Sequence, residues 1–198
     1  MALATLLVAR PVAFSQTANS RDQARVSRQQ EHPAAARLRS LSNDVLRINA
    51  ALQSTAPDRS ETLRQAGAHE IEDRAAALRA LIRQDPDQAL ALAFPSRALE
   101  DLAAGFPRSA PLLESRGNWR GILEFWIEDN TDGTFQARAK MWTGNETLEI
   151  HFAGEPEVAD GQILSVNGIR LGNMIAASAK VEADTTLRAM SLRESTTL

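Results

Sequence analysis

Residues able to carry acid-base or metal chemistry are sparse in this chain. Its three histidines, His32, His69 and His151, fall in a polar stretch, a helical stretch and an alternating stretch, with no ligand-like spacing between any two. There is no cysteine, which removes thiolate zinc sites, cysteine nucleophiles and disulfides together. His69-Glu70 continues into Ile71-Glu72-Asp73 and lacks the second histidine, one helical turn later, that would complete a zinc-binding face. No serine sits in a Gly-x-Ser-x-Gly elbow or beside a plausible base. Residues 128–133 (EDNTDG) match the start of a calcium loop, with alternate oxygen ligands and glycine sixth, but the twelfth position is Ala139 where a bidentate Glu belongs. A solvated acidic hairpin is the better reading. Asn145-Glu146-Thr147 is a glycosylation sequon that reads as turn chemistry. No catalytic residue, metal or cofactor is expected.

The aromatic residues carry more. All three tryptophans, Trp119, Trp126 and Trp142, lie in the second half. Trp126 shares a strand face with Ile122 and Glu124, opposite Leu123, Phe125 and Ile127, and Trp142 shares one with Arg138 and Lys140. Both are therefore expected on an outer wall, close enough to approach one another, where they could stack on a sugar or on a partner's apolar surface unless the helical half covers them. Trp119, Trp126 and Trp142 are the candidate binding residues.

A second candidate surface is helical. Leu38, Leu41, Val45, Ile48 and Leu52 recur at spacings of three and four, giving one apolar seam on a helix of about four turns. That seam needs a cover, either a second long helix packed antiparallel or another chain, including helix-mediated self-association.

These surfaces must be positioned by an α+β chain of 198 residues. Residues 35–107 read as helical. Pro57 ends the first helix, Asp58 and Glu61 offer a capping box for the next, Asp85-Pro86 starts a short third, and Pro95 opens a fourth that Gly105 and Pro107 stop. From Trp119 the period becomes two. Segments 122–127, 134–142, 146–153, 162–166 and 169–176 read as strands joined at Asp132-Gly133, Gly144-Asn145 and Asn167-Gly168. Five short antiparallel strands with one apolar face suggest a small OB-like β-barrel over 115–178, followed by a polar tail, 179–198.

Charge narrows the partners. Residues 16–60 carry seven Arg against four acids, whereas 117–178 carry four bases against nine acids. An acidic barrel repels phosphates, so nucleic acid is not an expected ligand. The apolar run ALATLLVA with Ala13-Phe14-Ser15 reads as a signal peptide over 1–15, clipped at its start, ahead of a flexible linker, 16–34; a transit peptide is the competitor. A secreted or periplasmic location is expected, and no apolar run reaches the ~20 residues that span a bilayer.

Between about residues 78 and 176 the order of ALRALIRQDPDQALALAFP, GILEFWIEDNTDG, ETLEIHFAGEP and DGQILSVNGIRLGN resembles the region preceding the catalytic domain in secreted bacterial proteins such as gametolysin-type metallopeptidases. The resemblance implies an accessory or propeptide-like portion without its enzyme, and no catalytic residue carries over. The expected function is thus a non-catalytic exported module that docks on a protein, with a carbohydrate- or small-ligand-binding barrel as the alternative.

Overall fold

The computed structural model describes residues 33–129 and 135–183. The expected signal peptide, nearly all of the expected linker, residues 130–134 with the expected Asp132-Gly133 turn, and the chain from 184 lie outside the described residues. Among the described residues, four helices precede a five-stranded mixed sheet, an α+β arrangement.

Proline sets the helix starts. Pro33, Pro57 and Pro86 are the first residues of α1 (Pro33–Ser54), α2 (Pro57–Gln84) and α3 (Pro86–Leu92), where a missing N–H costs nothing, and Pro95 caps α4 (Ser96–Gly105). The Asp85 carboxylate accepts the Gln88 amide at 3.0 Å to start α3. The helix start differs from expectation: α2 begins at Pro57 with Ala56, not Asp58, at its N-cap.

Thr55 and Ala56 alone separate α1 from α2, and the two run antiparallel. Ala35 and Leu38 share a core cluster with Leu78, Leu81 and Ile82 at the far end of α2, while Val45 clusters with Ile71 nearer its middle. The cover for the α1 seam is therefore this chain itself. Leu38 and Val45 are fully buried, and Ile48 and Leu52 pack against Val45, Phe94, Leu102 and Phe106. Leu41 is half-buried. As a partner-docking site the seam is withdrawn, because its apolar area is already removed from water.

The strands are β1 (Ser115–Asp129), β2 (Phe135–Trp142), β3 (Thr147–Ala153), β4 (Ile163–Leu171) and β5 (Met174–Ala183). They pair in the order β1-β2-β3-β5-β4, and β4 pairs back onto β1. β1 is long enough to serve two neighbours, with Ser115–Ile122 on β4 and Ile122–Asp129 on β2. The sheet is not wholly antiparallel, since β3 and β5 run parallel. The last hairpin also differs from expectation. Asn167-Gly168 lies inside β4, where a Cβ on Gly168 would stand 2.0 Å from the Ala176 carbonyl oxygen; glycine there permits close approach rather than a turn. The chain reverses at Gly172-Asn173, where Gly172 supplies the positive φ of 64°. β5 then runs on to Ala183, past the expected start of the tail.

Leu123, Met141, Leu148, Leu164, Val166 and Ile175 fill the inner face. On the other face of β4 and β5, Ile169, Leu171, Met174 and Ala176 pack with Ala35, Leu38, Leu78 and Ile82 of the helices. These two strands are thus covered on both sides. A buried polar knot fastens the same joint. The Arg74 guanidinium on α2 donates twice to the Glu114 carboxylate, at 2.6 and 2.7 Å, and once to Ser42 of α1 at 2.9 Å, and it lies 3.6 Å from the centre of the Phe94 ring. Glu114 also accepts the Phe94 amide at 2.8 Å, and Arg116 at the start of β1 donates to the carbonyls of Phe94 and Ala93. Burial alone would raise the Glu114 carboxyl, but the Arg74 hydrogen bonds and charge and the Phe94 amide outweigh it and hold the group below 4.5.

Candidate functional site

The three tryptophans do not form one platform. Trp119 sits opposite Val166 and packs, half-buried, against the inner cluster, so it serves the core. Trp126 and Trp142 share the outer face of the β1–β2 pair, but the register sets Trp126 opposite Arg138 and Trp142 opposite Ile122. Four residue positions along the strands separate them, about 13 Å at the usual rise per residue. The rung between is Glu124 and Lys140, an ion pair of 2.9 Å whose ammonium lies 5.8 Å from the Trp126 ring centre. Trp126 thus faces a charged cross-strand residue and Trp142 faces Ile122, while the helices lie on the face of β4 and β5. Trp126 is half-buried and Trp142 remains 50% exposed.

On the opposite face of β1 the alternation holds but its cover ends. Leu123 is fully buried, whereas Phe125 is 41% and Ile127 73% exposed. The inner cluster stops at the level of Leu123 and Ala139, and the β1–β2 hairpin projects beyond it. The β3–β4 connection crosses that end: the Asp160 carboxylate accepts the Phe125 amide at 2.8 Å, Gly161 donates to Leu123, and Val158 packs on the inner cluster. Ile122, at 42%, and Trp142 add exposed apolar area on the outer face, so four of the five exposed large hydrophobic residues of the described chain lie on β1 and β2.

Beside this hairpin lies a groove of about 530 Å³ lined by Phe125, Ala139, Ile150, Phe152 and Pro156, with Arg83 and Pro86 from the helices. Its polar wall is an ion-pair chain: Arg138 pairs with Glu128 and, at 3.2 Å, with Glu149, which also meets His151 Nε2 at 2.9 Å. Burial lowers the His151 pKa below 6.5; Glu149 opposes the shift, and the Arg83 and Arg138 charges reinforce it. The neutral imidazole is favoured. Sequence reading missed this groove because Arg83, Ala139, His151 and Pro156 come from four separate elements and share no local pattern.

Among the described residues no group of three His, Asp or Glu side chains could hold a metal ion. His69 is exposed on α2, and His32 lies outside the described residues. Asn145 is exposed in the turn after Gly144, whose φ is 93°, and the adjacent Glu146 is held by two hydrogen bonds from Arg170, at 2.6 and 2.7 Å. No described helix is long and apolar enough to cross a membrane. The chain matches no family model, no curated protein and no solved structure.

Proposed function

We propose that this chain is a non-catalytic, exported accessory module that docks on a protein partner through its β1–β2 hairpin, and that the sheet is an OB-like barrel. The strand order, with one long strand shared between β2 and β4 and a parallel β3–β5 pair, supports the barrel. The observation that carries the docking reading is the exposure of Phe125 and Ile127 on the projecting end of the hairpin, with Ile122 and Trp142 exposed on its opposite face nearer the base. Scattered exposed apolar residues need no explanation, whereas a local concentration of them marks an interaction surface. The resemblance to propeptide-like regions of secreted metallopeptidases makes a secreted peptidase the partner to try first.

The direct test uses the full chain and an Ile127→Glu variant as matched baits for the secreted proteins of the source. Docking through the hairpin predicts a partner retained by the wild type and depleted at least tenfold on the variant. Equal recovery on both baits would remove the hairpin from the interface. The carbohydrate alternative keeps one observation, the half-exposed ring of Trp142. It requires a tryptophan fluorescence change on glycan titration that Trp142→Ala abolishes; a silent titration retires it.

A further inference from the structure

We propose that the split between β2 and β3 receives an extended segment of the partner, apolar with one acidic side chain, which adds to the free edge of β2 as an extra strand. This inference rests on the docking reading and names its mode. β2 pairs with β1 as far as Asp129↔Phe135, and β3 pairs with β5 as far as Ala153↔Ser178, but the β2–β3 register ends at Ala139↔Ile150. Past that rung the two strands diverge. Among the described residues, the backbone of 135–138 and of 151–153 has no ladder partner on the side facing the split. The 530 Å³ groove lies in this gap.

A free strand edge recognises main chain before side chain, because its unpaired N–H and C=O groups accept any extended backbone. Four residues of β2 edge offer about 13 Å of ladder at the usual rise. Side chains of an added strand alternate between the two faces of the sheet. One row meets Phe125, Ala139 and Ile150, which asks for apolar residues. The other row emerges beside Arg138, His151 and Arg83. Arg138 is already held by Glu128 and Glu149, whereas Arg83, in the last turn of α2, has no carboxylate partner among the described residues. Glu149 and Glu155 on the same wall limit the segment to a single acid, set opposite Arg83. Charge complementarity and the free edge thus converge on one occupant.

The test uses three synthetic hexapeptides on the intact chain: Thr-Val-Glu-Val-Thr-Val, the same peptide with lysine for glutamate, and the first peptide N-methylated on alternate amides. Binding is followed by calorimetry, and amide hydrogen exchange locates it. The glutamate peptide should bind and slow exchange within 135–138. The lysine peptide should bind at least tenfold more weakly, and Arg83→Glu should reverse that order. Methylation of the ladder-forming amides should cost at least tenfold, whereas equal binding of the methylated peptide would mean apolar contact without strand addition and would overturn the proposal. So would an absence of binding, or protection elsewhere. The hairpin reading fails separately, in the Ile127→Glu bait comparison, which reads capture of a whole protein and uses no peptide.

Discussion

The joint between the helices and β4–β5 and the projecting β1–β2 hairpin are built from similar sequence and end in opposite states. Both alternate apolar and polar residues, and both carry cross-element ion pairs. At the joint, Ile169, Leu171, Met174 and Ala176 are buried beneath α1 to α3, and the Arg74–Glu114 pair is 1% and 3% exposed. On the hairpin, Ile127 is 73% exposed and the Lys140–Glu124 pair is about half in water. The difference lies in what packs on top. A pattern fixes which residues share a face; whether that face is covered depends on elements far away in the chain.

The comparison is most exposed to failure at its polar pairs. Glu114→Ala leaves the Arg74 guanidinium buried without its carboxylate and frees the Phe94 amide, so it should cost about 3–5 kcal/mol in urea unfolding. Lys140→Ala, which removes a pair of similar chemistry on the hairpin, should cost about 0.5 kcal/mol or less. Similar losses at the two sites would abolish the distinction. Limited proteolysis offers a second reading: the wild type should leave a core beginning near residue 35, whereas Glu114→Ala should release one beginning near residue 110, because Glu114 and Arg116 fasten the sheet to the helices.

Apolar residues give the next contrast. Leu38→Ala should cost about 2–4 kcal/mol as a cavity opens beneath α2, while Ile127→Ala should change stability by less than about 0.5 kcal/mol. Gly168→Ala belongs with the joint, since the added methyl collides with the Ala176 carbonyl, and a loss of about 2 kcal/mol is expected. A neutral Gly168→Ala in thermal melts would mean that β4 and β5 can part without cost.

How far the sequence could be read follows the same division. The helices and strands were legible from period, proline and capping, because those signals are local. The alternation of Leu123, Phe125 and Ile127 was legible too, but not the end of the core at Leu123, which depends on where the β3–β4 connection crosses. The α1 seam was visible, while its cover, α2, carried a weaker apolar stripe and left the choice between this chain and another open. The Arg74–Glu114 knot joins residues 40 positions apart that no local rule links. The parallel β3–β5 pair was hidden because no local signal says that β5, rather than β4, lies beside β3; the last hairpin was misplaced because Asn167-Gly168 looks like a turn and Gly172-Asn173 equally so, and the close approach of Gly168 to β5 decides between them only in three dimensions.

The smallest predicted effect separates the two regions by pH. Glu114 titrates below 4.5 in the folded chain, so its stabilisation is present above that value and is lost as pH falls through its depressed pKa. His151, beside the hairpin, has a folded pKa below 6.5, so the unfolded chain takes up that proton first. Stability should therefore decline modestly as pH drops from about 6.5 towards the lowered folded pKa, a window in which Glu114 remains ionised. His151→Gln should flatten that upper limb and leave the steeper acid limb in place, whereas Glu114→Gln should do the reverse. Urea midpoints measured between pH 3 and 8 distinguish the two. If His151→Gln left the upper limb intact, burial in the groove wall would not be holding its imidazole neutral.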